Sequence, residues 1–301
     1  MPSARTVTDA ADAFLARATA PTTRRSYGQT MNALTAAYGD RPLDALDGPA
    51  VAELTADSWG TLAPATWNRH VATLRSFTAF CRRTGWLQVD LCAGLERRPE
   101  KTDRTKAVAD TSLERLFRRE DVPVREKCLW RLLYETAARA QEVLSLNVED
   151  LDLDNKRART TSKGGDTEWL HFQSGSARLL PRVIAGRQTG PLFLADRRPA
   201  PARTPATVDV CPATGRGRLS YERAEYLFKR HSQRISRNGL TLHQLRHSAL
   251  TTLADANVSL PLLMGKSRHK NLRSLQRYVH PSAEAVAAMT AAHDPARRRQ
   301  H

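Results

Sequence analysis

Apolar residues recur at three- and four-residue steps through most of the chain. The clearest case is 63–83, where Trp67, Val71, Leu74, Phe77, Phe80 and Cys81 fall on one helical face before a stop near Gly85. The first hundred residues hold four or five such segments. Thr8-Asp9 opens one ahead of Ala13, Phe14 and Ala16, and Gly39-Asp40-Arg41-Pro42 closes another after Tyr38. These predict a small helical domain. From Glu96 to Asp110 the chain, opening with the charged run through Lys106, shows no apolar period, which reads as an interdomain linker. Helical patterns return near 112–119 and 123–137. The character changes over 148–172: Leu151-Asp152-Leu153 alternates, Asn155-Lys156 reads as a turn, and Ser162-Lys163-Gly164-Gly165-Asp166 separates two further short strand candidates. A stretch holding Pro199, Pro201, Pro205 and Pro212 predicts an exposed loop, and helices resume near 221–235, 243–256, 258–265, 271–277 and 282–292. The expected fold is mainly α with a small antiparallel β-sheet in the C-terminal domain of a two-domain chain.

Composition narrows the class. With 301 residues, 41% of them hydrophobic and 26% charged, the chain is long enough for two cores and too apolar for disorder. No run is apolar enough for a membrane span, so no membrane partner is expected. Asp9 and Asp12 follow the start too closely for a secretory leader, and Cys81, Cys92, Cys128 and Cys211 are too scattered for a zinc site or disulfide framework. A cytoplasmic protein with reduced cysteines is expected. Charge changes the picture most: 47 Lys and Arg against 31 acids leave a net +16. Residues 1–100 carry only +1, whereas residues 210–301 carry +11. A polyanion, with nucleic acid the commonest, is therefore the expected partner, met mainly by the C-terminal third.

The candidate chemistry lies in the same region. In Leu242-His243-Gln244-Leu245-Arg246-His247, a His and an Arg three apart share a helix face and can reach one phosphate. Singly, His243 reads equally as a capping or surface histidine and Arg246 as a helix-face ion-pair partner. Upstream, Arg139 sits at a helix break in Ala137-Ala138-Arg139-Ala140-Gln141-Glu142, and downstream His269 precedes Tyr278 by nine positions. Lys163 in Ser-Lys-Gly-Gly reads as a solvated turn, with Lys156 and Arg159 as alternatives; Tyr134, Tyr221 and Tyr226 compete with Tyr278.

Taken together, Arg139, Lys163, His243, Arg246, His269 and Tyr278 resemble, in order and spacing, the signature of the tyrosine recombinase (phage integrase) family. That signature is an Arg, a hairpin Lys, His-x-x-Arg, then a His or Trp nine residues before a nucleophilic Tyr. The resemblance covers roughly 7–292. The chain departs from it in having Ala137-Ala138 where the family often has Thr-Gly, and Arg268 where it often has Gly before the late His. The resemblance implies a helical core-binding domain over 7–96, a linker over 97–110, a catalytic domain over 111–292 and a basic tail over 293–301. It implies a site-specific recombinase of double-stranded DNA that works through a 3′-phosphotyrosyl link, with no metal, cofactor or ATP.

Those residue types suit that chemistry. A phenol, with an ordinary pKa of about 10, is a poor nucleophile at neutral pH unless cations favour its anion or a base takes its proton. Arg139 and Arg246 offer planar, permanently charged forks for phosphate oxygens. His243 and His269 can donate to those oxygens or move protons. On the family pattern, Tyr278 attacks phosphorus and Lys163 protonates the leaving 5′ oxygen, while Glu142 helps hold the active-site arginine. Thr23, Arg24, Arg25 and Tyr27 at one helix start, and Asn68 and Arg69 at another, are candidate DNA contacts, although a solvated face explains them as well. The resemblance further implies a monomer assembling into a homotetramer on DNA, with the Ala-rich segment 281–289 docking in trans or packing in cis. Two rivals remain. One is an idle DNA-binding regulator on the same fold. The other is a metal-dependent nuclease using His243, His247 and His269, disfavoured because no Asp or Glu accompanies that cluster. A type IB topoisomerase activity fits the same residues.

Overall fold

The structure, a computed structural model, describes residues 5–100, 107–161, 167–200, 202, 205–269, 271, 272, 275, 278, 287, 290 and 291. The chain divides into two compact units, Met1–Thr102 and Asp103–His301. Among the described residues no helix is long and apolar enough to cross a membrane.

The N-terminal unit is built from α1 (Val7–Ala16), α2 (Pro21–Tyr38), α3 (Gly48–Trp59) and α4 (Pro64–Arg83). Their starts follow from local chemistry. The Thr6 hydroxyl accepts from the Asp9 amide at 3.1 Å while the Asp9 carboxylate accepts from the Thr6 amide at 3.0 Å, a reciprocal cap for α1. Asp47 caps α3, and prolines in the first turn open α2, α3 and α4, where no helical N–H is lost. The core holds Phe14, Met31, Leu34, Val71, Leu74 and Phe77, so the apolar face predicted for 63–83 is the buried face of α4. After α4 the chain folds back. The Trp67 indole donates to the Glu96 carbonyl at 2.9 Å, and Arg75 donates to the Leu95 carbonyl.

One buried polar group gives this unit a pH dependence. The His70 ring stacks on Trp59 with centroids 4.0 Å apart, its Nδ1 lies 2.9 Å from Thr30 Oγ1, and its Nε2 lies 3.0 Å from the Arg69 guanidinium. Arginine can only donate, so Nε2 accepts and Nδ1 carries the proton given to Thr30. Burial, and then the Arg69 charge, push the imidazole pKa down to about 4.

The C-terminal unit contains α5 (Asp110–Arg118), α6 (Val124–Thr136), α7 (Ala140–Leu144), β1 (Leu151–Asp152), β2 (Arg157–Thr161), β3 (Thr167–His171), α8 (Ser174–Ile184), α9 (Tyr221–Ser232), α10 (Leu242–Asp255) and α11 (Leu260–Ser267). The three strands form an antiparallel sheet in the order β1-β2-β3, with Ala158 opposite Leu170 and Thr161 opposite Thr167. Helix α6 runs through the core, carrying Leu129, Trp130 and Leu133 against Leu180, Phe228 and Leu245. It also organises its neighbour: the buried Glu135 carboxylate accepts from the amides of Gln173 at 2.8 Å and Ser176 at 3.2 Å, capping α8 from another element. Gly175 makes room, because a Cβ there would lie 2.3 Å from Glu135 Oε1. Helix α8 has no counterpart in the sequence reading, since its Gly175 and Pro181 read as breakers. The four cysteines are free and buried.

Because the folded pKa of His70 lies below the ordinary 6.5, the folded state binds fewer protons than the unfolded one. The stability it contributes is full above about pH 6.5 and is lost as pH falls toward about 4. An NMR titration of the His70 ring is expected to show a midpoint near 4, with the ring neutral and Nδ1-protonated at pH 7. A midpoint near 6.5 would contradict this.

Candidate functional site

The site is assembled around Arg246. Helix α10 begins with a reciprocal cap in which the Gln244 side chain accepts from the Thr241 amide at 2.8 Å. Leu242 and Leu245 point into the main core, and Arg246, one position further, is carried inside with 2% of its surface exposed. Its guanidinium donates to the carbonyl of Ala137 and to that of Ser267 at 2.7 Å, and Nη2 lies 3.3 Å from His269 Nε2. Burial, then the charges of Arg139 and Arg268, lower its pKa to about 10, which still leaves it charged at neutral pH.

Arg139 is placed by a sharp exit from α6. Ala137 closes that helix at φ +50°, ψ +28°, a left-handed conformation unusual for alanine. The Thr136 hydroxyl accepts from the Ala138 amide at 3.2 Å, and Arg139 becomes the N-cap of α7. Glu142 then grips it twice: one oxygen accepts from the Arg139 amide at 2.9 Å and the other from the guanidinium at 2.8 Å. About half of the Arg139 side chain, 51%, stays exposed. The same carboxylate accepts from Arg268 at 2.8 Å. Burial alone would raise the Glu142 carboxyl, but Arg268 and the hydrogen bonds from Arg139 outweigh it and hold the pKa below the ordinary value.

His269 and Tyr278 complete the cluster. His269 Nδ1 lies 2.7 Å from Ser267 Oγ while Nε2 faces Arg246, so a neutral ring protonated at Nδ1 satisfies both contacts. Tyr278, 5% exposed, packs among Ala137, Ala249, Leu250, Leu263 and Leu275. Its ring centroid is 4.5 Å from that of His247 and 5.9 Å from that of His269; His247 in turn stands edge-on to His243 at 5.6 Å. Two imidazoles thus flank the phenol, with a buried guanidinium behind one of them.

The competing tyrosines are placed differently. Tyr134 donates to Asp110 at 2.5 Å, and burial together with that bond raises its phenol to about 12. Tyr221 and Tyr226 are exposed on α9. Lys163 lies outside the described residues, in the connection between β2 and β3. Its alternative Lys156 precedes β2, at the opposite end of that strand from the connection, and Arg159 pairs with Asp150 at 3.4 Å. Among the described residues no three of His, Cys, Asp and Glu are grouped to hold a metal ion.

Of the other candidates, Thr23, Arg24 and Arg25 are exposed on the first turns of α2, and Arg69 is exposed on α4, where Gln29 accepts from it at 2.6 Å. Tyr27 is half-buried, stacked on Phe14 at 5.1 Å. Asn68 does not present its amide to solvent: it is buried, donates to the Arg98 carbonyl at 2.8 Å and accepts from the Arg98 amide at 2.8 Å, anchoring the chain after α4. Two participants had no role in the tyrosine recombinase reading of the sequence, although His247 figured in the rival metal-site reading. His247 was visible as the residue one helical turn beyond His243. Arg268 was visible only as a missing glycine.

Comparison with known proteins adds to this geometry. The phage integrase family profile matches residues 106–285. A tyrosine recombinase XerC of Mycobacterium bovis is 27% identical over 305 residues, covering 91% of this chain and 92% of that protein. A second XerC, from Roseiflexus castenholzii, is 25% identical over 229 residues, 74% of this chain and 70% of the relative. Among solved structures, the Tn1549 transposon integrase in complex with a circular intermediate DNA superposes with a TM-score of 0.71 at 16% identity over 95% of this chain and 99% of that one. A lambda integrase dimer bound to a COC′ core site gives 0.68 at 15% identity, covering 90% and 97%.

Because Glu142 is held ionised by two arginines, Glu142→Gln deprives the buried Arg268 of its hydrogen-bonded carboxylate and is expected to cost about 3 kcal/mol at pH 7. The sign follows from its lowered pKa: the stabilisation is full above the ordinary carboxylate range and disappears as pH falls through the folded value. Denaturation of both proteins at pH 7 and at acid pH should show the difference shrinking in acid. An equal difference at both would contradict the assignment.

Proposed function

The chain belongs to the phage integrase family, and we propose that it joins DNA transiently to Tyr278 within the cluster around Arg246. It is a site-specific tyrosine recombinase, which cleaves and rejoins DNA strands through a 3′-phosphotyrosyl intermediate. The observation that carries the assignment to Tyr278 is its burial between His247 and His269, next to the fixed charge of Arg246.

In this reading the scissile phosphate sits over Arg139 and Arg246, which offset the negative charge that builds on its non-bridging oxygens. Arg139, half exposed and held by Glu142, contacts those oxygens; Arg246, held on two carbonyls, supplies a charge that needs no reorganisation when the reaction occurs. The Tyr278 oxygen attacks phosphorus, the bond to the 5′ oxygen breaks, and the phenolic proton passes to a flanking imidazole. Lys163 gives a proton to the departing 5′ oxygen. His243, near the start of α10, donates to the phosphate. The phosphotyrosyl link keeps the energy of the broken bond, so a different 5′ hydroxyl can reverse the step without ATP.

The partner is double-stranded DNA. The surplus of +11 over residues 210–301 supplies most of the phosphate neutralisation. Within a core-binding domain over 7–96, Thr23, Arg24, Arg25 and Arg69 add positioning contacts, while Asn68 and Tyr27 serve the fold. Residues 111–292 act as the catalytic domain. The protein works in the cytoplasm, and four protomers assemble on two DNA sites; the segment 281–289, of which only residue 287 is among the described residues, docks in trans or packs in cis.

The test is covalent trapping. Wild type and Tyr278→Phe, both in EDTA, are incubated with nicked duplexes bearing candidate attachment sites, from which the cleaved fragment diffuses away. A denaturant-resistant adduct mapped to Tyr278 by mass spectrometry, absent from the variant, is expected. Specific binding with no adduct from wild type would replace this reading with that of a DNA-binding regulator.

A further inference from the structure

Arg268 occupies a position that two physical arguments disfavour. Its backbone is left-handed at φ +55°, ψ +38°, a conformation that glycine adopts freely and arginine does not. Its side chain is only 6% exposed and lies close enough to Arg246 for its charge to help lower that residue's pKa. A buried cation beside like charges persists only if specific partners repay it. The partners come from three elements. Nη2 donates to Glu142 of α7 at 2.8 Å, Nη1 donates to the Lys266 carbonyl in the last turn of α11 at 2.9 Å, and Nε lies 3.6 Å from the Glu168 carboxylate of β3. That Nε is buried with no hydrogen-bond partner among the described residues, and Glu168 is the carboxylate beside it.

Both carboxylates lead directly to the chemistry. Glu142 is the group that grips Arg139 through both its amide and its guanidinium. Glu168 is the second residue of β3, at the base of the connection from β2 that includes Lys163. The other end of β3 is tied to the same helix end, where Lys266 Nζ donates to the His171 carbonyl at 2.7 Å. We propose that Arg268 is a positioning residue that joins Arg139, through Glu142, to strand β3, through Glu168, so that the phosphate-binding arginine and the strand that follows Lys163 in the chain are set as one unit. This rests on the strand-transfer reading, in which Lys163 protonates the leaving oxygen. Glycine at this position would supply the backbone turn before His269 and nothing else, so the arginine adds a link that the turn itself does not require.

The experiment measures single-turnover cleavage of the nicked duplex at saturating protein, together with DNA affinity and thermal stability, for wild type, Arg268→Gly, Arg268→Lys, Glu168→Gln and the Arg268→Gly/Glu168→Gln pair. Arg268→Gly relieves the left-handed strain, so loss of activity is not a folding defect if its melting temperature holds. Cleavage by Arg268→Gly is expected to slow about 10²-fold, the scale of a small misplacement of reacting groups, with DNA affinity unchanged. Arg268→Lys keeps the charge without spanning both carboxylates and is expected to be nearly as slow. Glu168→Gln is expected to be slowed less, and the double variant to be no slower than Arg268→Gly alone. A duplex with sulfur in place of the leaving 5′ oxygen needs no proton donor, so it should recover at least about tenfold of the Arg268→Gly loss. A merely structural arginine would show no such recovery. Equal slowing on oxygen and sulfur leaving groups, or wild-type rates for Arg268→Gly, would overturn the proposal. Absence of an adduct from wild type itself would overturn the strand-transfer reading and this one with it.

Discussion

A guanidinium is buried where helix ends meet, and the rest of the site depends on that arrangement. Taking a charge out of water is costly unless its donors are met. Arg246 meets its donors with the carbonyls of Ala137 and Ser267, at the C-terminal ends of α6 and α11, where unsatisfied carbonyls concentrate negative partial charge. Both helices end in a left-handed residue, Ala137 in one case and Arg268 in the other, so the chain turns away sharply after each. The turn after Ala137 delivers Arg139 two residues later, and the turn at Arg268 delivers His269 one residue later. One buried cation therefore ties α6, α10 and α11 together and sets two further members of the cluster.

Charge balance around this point is deliberately incomplete in its chemistry. Arg139, Arg246 and Arg268 gather near a single shared carboxylate, Glu142, with Glu168 further out. Burial first, and then the neighbouring charges of Arg139 and Arg268, lower the Arg246 pKa, while Arg268 and Arg139 keep the carboxylate between them ionised against its burial. In the strand-transfer reading, a phosphodiester supplies the missing negative charge. Tyr278 lies on the apolar side of this cluster, buried with Leu250, Leu263 and Leu275, where the field of the arginines is less screened than in water, and its flanking imidazoles are half-buried beside it.

Much of this was legible in the chain, for reasons that differ between elements. The face of α4 stood out because six large apolar residues keep one period, and the β2–β3 connection because Gly164-Gly165 interrupts two alternating runs. Helix α8 was hidden because its start depends on Glu135, a capping group from another element that local patterns do not contain. Asn68 illustrates the converse. The buried face of α4 is wide enough to include Asn68, His70 and Thr73 between Trp67 and Leu74, so polarity alone misplaces them on the surface. In the site, the spacing of His243, Arg246, His269 and Tyr278 could be read directly. The contact of His247 with Tyr278, and the reach of Arg268 to α7 and β3, are tertiary facts without a local signature.

The most direct measurement of what the arginines do is cleavage of a duplex whose scissile phosphate carries a methyl group in place of one charged non-bridging oxygen. On the ordinary phosphate, Arg139→Ala is expected to slow cleavage about 10²- to 10³-fold, as for removal of a donor aimed at developing charge. On the neutral analogue the penalty for losing Arg139 should nearly vanish, because there is little charge left to offset. An undiminished penalty would contradict the electrostatic role assigned to Arg139.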